Sequence, residues 1–169
     1  MNEIEGIWQG LAERYPVLEG CRKDIMEAYH EMRESFARGG KLLICGNGGS
    51  SADAQHIVGE LMKEFGLHRA VPEEFAAACR RLYPGQGLEE KLQGALPAIA
   101  IAVNPAFASA YANDVAPEMA YAQEVLGYGR PGDVLLGLST SGNSGNVINA
   151  VKTARAAGLR CIGLGGLGG

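Results

Sequence analysis

Residues 131–148 read PGDVLLGLSTSGNSGNVI and combine an apolar run, a cluster of hydroxyl side chains and the start of a helical pattern. The apolar run over 134–138 ends in the hydroxyl cluster at 139–144, and apolar residues recur at helical spacing from Val147. This order predicts a strand, a polar loop and a helix, which points backbone N–H groups at an anion. An ordinary N-cap cluster is the alternative. We favour phosphate binding, because four hydroxyls within six residues exceed what a cap needs.

A second stretch of the same kind lies earlier in the chain. Residues 41–46 (KLLICG) form a short apolar run, typical of a buried parallel strand. The glycine-rich loop NGGS at 47–50 follows, and a helical pattern then extends to Phe65. The loop is neither the GxGxxG dinucleotide fingerprint nor a Walker loop, which ends in Lys-Ser/Thr. Two strand–loop–helix units in one chain predict an α/β fold with a parallel sheet flanked by helices.

The remaining segments complete a single domain over residues 1–169. Its first part, 1–40, predicts two helices separated by Pro16, which pack either on their own sheet or on a second subunit. Residues 66–96 have the pattern of an insertion. Shorter elements are expected as helices at 73–83, 88–96, 106–112 and 118–126, and as strands at 97–103 and 160–164. Because a glycine-rich tail follows the last strand where a covering helix is normal, we expect a partial chain that lacks a C-terminal segment.

Composition excludes several classes of function. Hydrophobic residues make up 47% of the chain and charged residues 20%, which indicates a globular protein. The net charge of −4 and the absence of a basic cluster argue against nucleic-acid or membrane-surface partners. The four cysteines are widely spaced, which is typical of a reducing cytoplasm. We expect neither a signal peptide nor a membrane-spanning segment.

His56 and Glu60 are the residues most able to perform chemistry. They are four residues apart and therefore share one face of the helix that follows the glycine loop. A carboxylate near a bound sugar phosphate could remove a proton from a carbon next to a carbonyl, and an imidazole could orient it, share a metal or carry the proton. Without further context an exposed pair on a surface helix is the favoured interpretation.

Two longer motifs resemble the sugar-isomerase (SIS) domain family. They are CGNGGSSADAQHIVGEL at 45–61 and GDVLLGLSTSGNSGNVINAVKTARAAG at 132–158, and the Ala-Asn-Asp at 112–114 is similar to the family's Gly-Asn-Asp. The resemblance covers nearly the whole chain outside 66–96. It implies a three-layer α/β sandwich. It also implies a homotetramer with active sites at subunit contacts and the N-terminal helices at its core.

The most similar branch of the family isomerises sedoheptulose 7-phosphate to D-glycero-D-manno-heptose 7-phosphate, an early step in making heptose for bacterial surface polysaccharides such as lipopolysaccharide. The resemblance implies that Glu60 is the base of an enediol mechanism, with His56 as its catalytic neighbour. Both residues match positions that hold zinc in some members, so a zinc cofactor is possible but not required. The implied phosphate ligands are Ser139, Thr140, Ser141 and Ser144, and the implied sugar ligands are Asn47, Gly48, Gly49, Glu60, Asn113 and Asp114.

Two features depart from the family pattern. The later segment that carries a catalytic histidine and a glutamine near the metal has no counterpart in these 169 residues, and LMKEF at 61–65 stands where Thr-Gly-Arg is usual. The residues present therefore support the class of reaction more strongly than they support the identity of the substrate. The alternative is a non-catalytic SIS module that binds a phosphosugar as a regulator or docks a protein partner, and the presence of both Glu60 and His56 favours the enzyme. A dehydrogenase is disfavoured, because no acidic residue is suitably placed to bind a ribose.

Overall fold

The computed structural model describes residues 3–166. The helices are α1 (Glu3–Arg14), α2 (Arg22–Ala37), α3 (Gly49–Met62), α4 (Glu73–Leu82), α5 (Leu88–Lys91), α6 (Pro105–Asp114), α7 (Ala120–Tyr128) and α8 (Gly145–Ala156), with 3₁₀ turns at Pro16–Cys21 and Pro117–Met119. The strands are β1 (Leu42–Gly46), β2 (Ala98–Ala100), β3 (Val134–Ser139) and β4 (Arg160–Gly165).

In this part of the chain the strands form one parallel sheet in the order β2-β1-β3-β4. β1 and β3 are adjacent, with Gly46 paired to Leu138, so both strands end at the same edge. Side chains alternate across the sheet and bury an apolar core on each face. Leu43 packs with residues of α7 and α8 on one face, and Ile44 packs with residues of α2 and α3 on the other. The three-layer α/β sandwich predicted from the sequence is therefore confirmed.

The two predicted N-terminal helices are present, but the second one begins later than expected. Pro16 starts a 3₁₀ turn rather than the first turn of α2, which begins at Arg22. Proline fits the first position of such a turn because it has no N–H group to leave unpaired. α2 packs on the sheet, whereas α1 and the turn leave apolar side chains in water, with Ile7 67% and Val17 84% exposed.

β2 and α3 each end earlier than predicted. β2 ends at Ala100 instead of residue 103, because Ala102 adopts a left-handed φ of 58° that a strand cannot contain. α3 ends at Met62 instead of Phe65, because Lys63 is extended and the helix carbonyls bond to Arg69. Neither the left-handed backbone of Ala102 nor the side-chain bonds of Arg69 leave a periodic signal in the sequence.

Residues 66–96 contain the predicted helix α4 and a shorter α5 than expected. α5 covers only 88–91 of the predicted 88–96, because Leu92 adopts an extended conformation. The segment returns to the end of α3, where the backbone N–H of Leu96 donates to the carbonyl of Leu61 at 2.9 Å. Within residues 3–166, no helix has both the length and the apolar character needed to cross a lipid bilayer.

Candidate functional site

The first loop turns from β1 into α3 through Asn47 and Gly48. Gly48 has φ 55° and ψ −120°, a conformation that favours glycine. Its carbonyl accepts hydrogen bonds from the backbone N–H groups of Ser51 and Ala52. No side chain caps α3, so the helix presents its own backbone at the loop. Gly48 and Gly49 thus leave room for a ligand to approach the main chain.

The second loop joins β3 to α8 and carries the hydroxyl cluster. The Oγ of Ser139 lies 2.9 Å from the Oγ of Ser144 and 3.4 Å from the Oγ of Ser141. Ser144 occupies the N-cap position of α8, yet its side chain makes no capping hydrogen bond. The capping interpretation is therefore wrong for this residue. Thr140 and Ser141 are exposed, so the cluster combines buried and accessible hydroxyls at a helix N-terminus, which suits a phosphate.

A pair of asparagines joins the two loops. The Nδ2 of Asn47 donates to the Oδ1 of Asn146 at 2.9 Å, and the Nδ2 of Asn146 donates to the Oδ1 of Asn47 at 2.8 Å. The hydroxyl of Tyr121 lies 2.5 Å from the carbonyl oxygen of Gly46 and 3.0 Å from the Oδ1 of Asn47. The Asn47 amide, predicted to contact the sugar, is thus largely occupied in holding the loops together.

α7 supports the ends of two strands with buried polar side chains. The carboxylate of Glu124, which is 9% exposed, accepts a hydrogen bond from the backbone N–H of the left-handed Ala102. Burial raises the pKa of Glu124, and the bond from Ala102 lowers it by less. Burial also raises the pKa of Tyr121, with smaller contributions from Cys45 and Glu124. Glu124 and Tyr121 therefore fix the turns after β2 and β1.

A cleft of about 330 Å³ opens at the edge where β1 and β3 end. α3 contributes Ser50, Asp53 and Ile57 to its lining, and the second loop contributes Ser139 and Thr140. Three hydroxyls and the start of α3 therefore face one space. This combination offers several neutral donors and one carboxylate, as expected for a ligand with a phosphate and hydroxyl groups.

His56 and Glu60 lie farther along α3, outside the lining of this cleft. His56 is exposed, and Glu60 is half-buried. The Oε1 of Glu60 lies 3.5 Å from the Nζ of Lys63, and its Oε2 is buried with no hydrogen-bond partner. Glu60 follows Gly49 by eleven residues, which corresponds to roughly 16 Å along the helix axis. Ile57, which lines the cleft, precedes Glu60 by three residues, or roughly 4.5 Å along the helix axis, so Glu60 lies just beyond the cleft.

The His56 and Glu60 side chains fit a zinc ion only in part. Imidazole and carboxylate are suitable donors, and the unpartnered Oε2 of Glu60 is available, but a protein zinc site uses at least three protein ligands. Among residues 3–166 no group of three or more His, Cys, Asp or Glu side chains could hold a metal. We therefore derive no chemical step through a metal.

Asn113 and Asp114 lie in the last turn of α6. The Nδ2 of Asn113 donates to the Oδ1 of Asp114 at 2.9 Å, and both side chains are exposed. They are about 13 Å along the helix axis from its start at Pro105, and neither lines the cleft between the loops. The prediction that they contact the sugar therefore stays a prediction.

Sequence reasoning missed Tyr121, Glu124 and Asn146. Tyr121 and Glu124 belong to an ordinary helical pattern, and only their buried partners at the strand ends distinguish them. Asn146 follows the hydroxyl cluster directly, and an amide in the first turn of a phosphate-facing helix was the one available signal.

The comparisons with known proteins all indicate the same family. The model of the SIS domain family matches residues 16–83 and 76–166. A phosphoheptose isomerase of Rhodospirillum rubrum is 38% identical over 168 residues, covering 99% of this chain and 77% of the relative. One of Crocosphaera subtropica is 44% identical over 131 residues, covering 78% of this chain and 55% of the relative. The phosphoheptose isomerase structure from Neisseria gonorrhoeae superposes with a TM-score of 0.66 at 32% identity, covering 98% of this chain and 76% of that one.

Proposed function

The chain belongs to the SIS domain family, and we propose that it is an isomerase that interconverts the ketose and aldose forms of a sugar phosphate. The second loop carries this proposal, because its serine hydroxyls cluster at the N-terminus of α8 without capping it. A helix N-terminus with neutral donors is a phosphate site. The curated relatives are named phosphoheptose isomerase, which supports a heptose phosphate as the substrate. The substrate we propose is sedoheptulose 7-phosphate, with D-glycero-D-manno-heptose 7-phosphate as the product.

Glu60 is the proposed base. Its carboxylate takes a proton from C1 of the ketose while the C2 carbonyl oxygen gains a proton, which gives an enediol. The C1 hydroxyl then loses its proton as the C1 carbonyl forms, and Glu60 returns its proton to C2 to give the aldose. Its Oε1 lies 3.5 Å from the Nζ of Lys63 and its Oε2 is buried without a hydrogen-bond partner, so substrate binding must bring one of these oxygens into contact with C1. His56, one helical turn earlier on the same face, is close enough along the helix to assist proton movement.

We propose that the active site is shared between subunits of a homotetramer. The family resemblance implies active sites at subunit contacts, and Glu60 lies outside the lining of the cleft that Ser139 and Thr140 of its own chain form, which agrees with a substrate contacted by more than one copy. The exposed Ile7 and Val17 supply apolar surface for that assembly. Light scattering after gel filtration measures the mass, and Val17→Lys is expected to lower it. A monomeric wild type would contradict the shared site.

Bound zinc and a cytoplasmic location are two further proposals. His56 and Glu60 supply two of the ligands that zinc favours, so metal analysis of the purified protein and of a His56→Ala variant tests for bound zinc. Equal zinc content in both would exclude His56 as a ligand. Cytoplasmic location agrees with the free cysteines, of which Cys21 is exposed, and with a role in heptose synthesis for the cell surface.

The reaction is tested by proton NMR in D₂O with sedoheptulose 7-phosphate. We expect the aldose product, with deuterium entering at the carbon that receives the transferred proton. Glu60→Gln is expected to lower kcat by roughly 10²–10⁴-fold, the contribution of a general base. Ser141→Ala is expected to raise KM mainly, because an exposed hydroxyl of the loop binds the phosphate before and after the reaction alike.

Glu118→Gln is the matched control, because this exposed glutamate precedes α7 and is not among the predicted site residues. Its kinetic constants should equal those of the wild type. Saturable binding that requires Ser141, without turnover, would instead favour a phosphosugar-sensing module. Absence of both turnover and binding would contradict the phosphosugar proposal.

A further inference from the structure

Arg69 crosses the C-terminal end of the helix that carries Glu60. Its Nη2 lies 3.3 Å from the carbonyl oxygen of Glu60 and 2.9 Å from that of Leu61, and it also bonds to the carbonyl of Lys63. These carbonyls have no partners within α3, because the helix ends at Met62. A cation at this end also interacts favourably with the helix dipole. Arg69 therefore replaces the helix turn that would otherwise follow Glu60.

The backbone of Arg69 is fixed on both sides. Its N–H donates to the carboxylate of Glu64 at 3.3 Å, and its carbonyl accepts from the N–H of Gly94 at 2.7 Å. Gly94 has no space for a side chain, since a Cβ there would lie 2.6 Å from the carbonyl oxygen of Ala70. The chain reverses direction at Gly66, with φ 71°, and so reaches this position within a few residues. Arg69 is thus held rigidly against α3.

Two buried polar atoms at this point have no hydrogen-bond partner. They are the Oε2 of Glu60 and the Nε of Arg69. A buried carboxylate oxygen without a donor is costly and persists only where the surroundings hold it in place. Because Glu60 belongs to the last turn of α3, the position of its carboxylate depends on the main chain that Arg69 holds.

We propose that Arg69 is a positioning residue for Glu60. It fixes the last turn of α3 through the main-chain carbonyls and so holds the Glu60 carboxylate where it meets the substrate. The inference rests on the proposed function, since it takes Glu60 as the base. It also assigns a role to the segment 66–96, which supplies Arg69 and the Gly94 contact that holds it.

The test compares Arg69→Met and Arg69→Lys with the wild type. Met keeps the apolar stem but removes every donor, whereas Lys keeps one charged donor. We expect Arg69→Met to lower kcat by roughly 10–100-fold with KM changed less than about threefold, since a misplacement of about 1 Å can cost a hundredfold. Arg69→Lys should recover at least part of the lost kcat. Hydrogen exchange of the amides at 60–64 should be faster in Arg69→Met.

Arg130→Met is the matched control. The Nη1 of Arg130 donates to the carbonyls of Gly127 and Gly129 at 3.1 and 2.7 Å, so it caps the end of α7 in the same way but far along the chain from Glu60. This variant should retain the wild-type kcat and the wild-type exchange rates at 60–64.

The outcomes separate the inference from the proposed function. Faster exchange with unchanged kcat in an active protein would make Arg69 a structural cap only and would overturn the positioning role. Unchanged exchange at 60–64 would overturn it whatever the activity. An inactive wild type would refute the proposed function and with it the role of Arg69 in catalysis, while the exchange data would still report whether Arg69 holds the turn.

Discussion

Gly46→Ala perturbs the point where β1 meets the first loop. A Cβ added at Gly46 would lie 2.7 Å from the Cβ of Ser50 and 2.9 Å from the carbonyl carbon and oxygen of the same residue. Ordinary contacts begin at 3.4 Å, so the strand end and the helix must separate by about 0.5 Å or more. Ser50 belongs to the first turn of α3, and two of the three atoms are main-chain atoms, which cannot rotate away.

The displacement falls on α3 rather than on β1. Gly46 is paired with Leu138 in the sheet, and its carbonyl lies 2.5 Å from the hydroxyl of Tyr121. Overpacking of this kind costs about 1–3 kcal/mol. For a chain of this size, each kcal/mol corresponds to a Tm change of about 2–4 °C, so we expect Tm to fall by about 2–12 °C.

Gly59→Ala is the matched control on the same helix. A Cβ at Gly59 meets nothing within 4 Å, and the residue lies in the interior of α3. Alanine should therefore stabilise the protein by about 0.5–1 kcal/mol, because it restricts the unfolded chain and favours helix. The two Gly→Ala changes should shift Tm in opposite directions.

Thermal unfolding followed by circular dichroism, at one protein concentration for all variants, gives Tm. Proton NMR with sedoheptulose 7-phosphate gives kcat/KM, which we expect to fall by about tenfold in Gly46→Ala, since a 1 Å misplacement costs about a hundredfold. An unchanged Tm for Gly46→Ala, or a shift of equal sign in Gly59→Ala, would refute the steric argument.

Three further predictions concern buried polar groups. Burial raises the pKa of Glu124 in the folded state, so ionisation of Glu124 destabilises the protein as pH rises above the unfolded-state pKa of about 4.3. Glu124→Gln should abolish this loss of stability, and urea midpoints at pH 5 and pH 8 measure it. Burial, with a smaller contribution from Cys161, raises the pKa of Cys45 to about 12, so a thiol reagent at pH 8 should modify the exposed Cys21 and spare Cys45 until the protein unfolds. Asp133→Ala should lower the free energy of unfolding in urea by about 2–4 kcal/mol. The buried carboxylate of Asp133 accepts hydrogen bonds from the backbone N–H of Lys41 at 2.9 Å and from its Nζ at 2.5 Å. Asp133→Asn, which keeps an acceptor oxygen, should lower it less.

The strand–loop–helix units were predictable because their signals are local. Residues 134–138 are apolar without interruption, as a strand buried on both faces requires, and the helix after the loop repeats its apolar residues at helical spacing. The turn at Gly48 was equally predictable, because a backbone conformation of this kind favours glycine. The hydroxyl cluster indicated phosphate from its composition alone.

The resemblance supplied the proposed roles of Glu60 and His56, which their spacing alone did not favour. The sequence predicted that they share a helix face, and α3 contains both. Helix geometry then separates Glu60 from the first loop of the same chain by roughly 16 Å. The active site shared between copies was likewise implied by the resemblance, and the position of Glu60 outside the cleft agrees with it.

The sequence by itself determined the α/β class, the two glycine and hydroxyl loops and the helix that carries Glu60, because each depends on periodicity or backbone preference within a few residues. Only the tertiary structure decided which polar groups meet. Asn47 and Asn146 are 99 residues apart in the sequence, and Tyr121 and Gly46, which are joined by a hydrogen bond, are 75 residues apart. A polar side chain has many possible partners in the sequence, and the packing of the helices on the sheet brings one of them within hydrogen-bond distance.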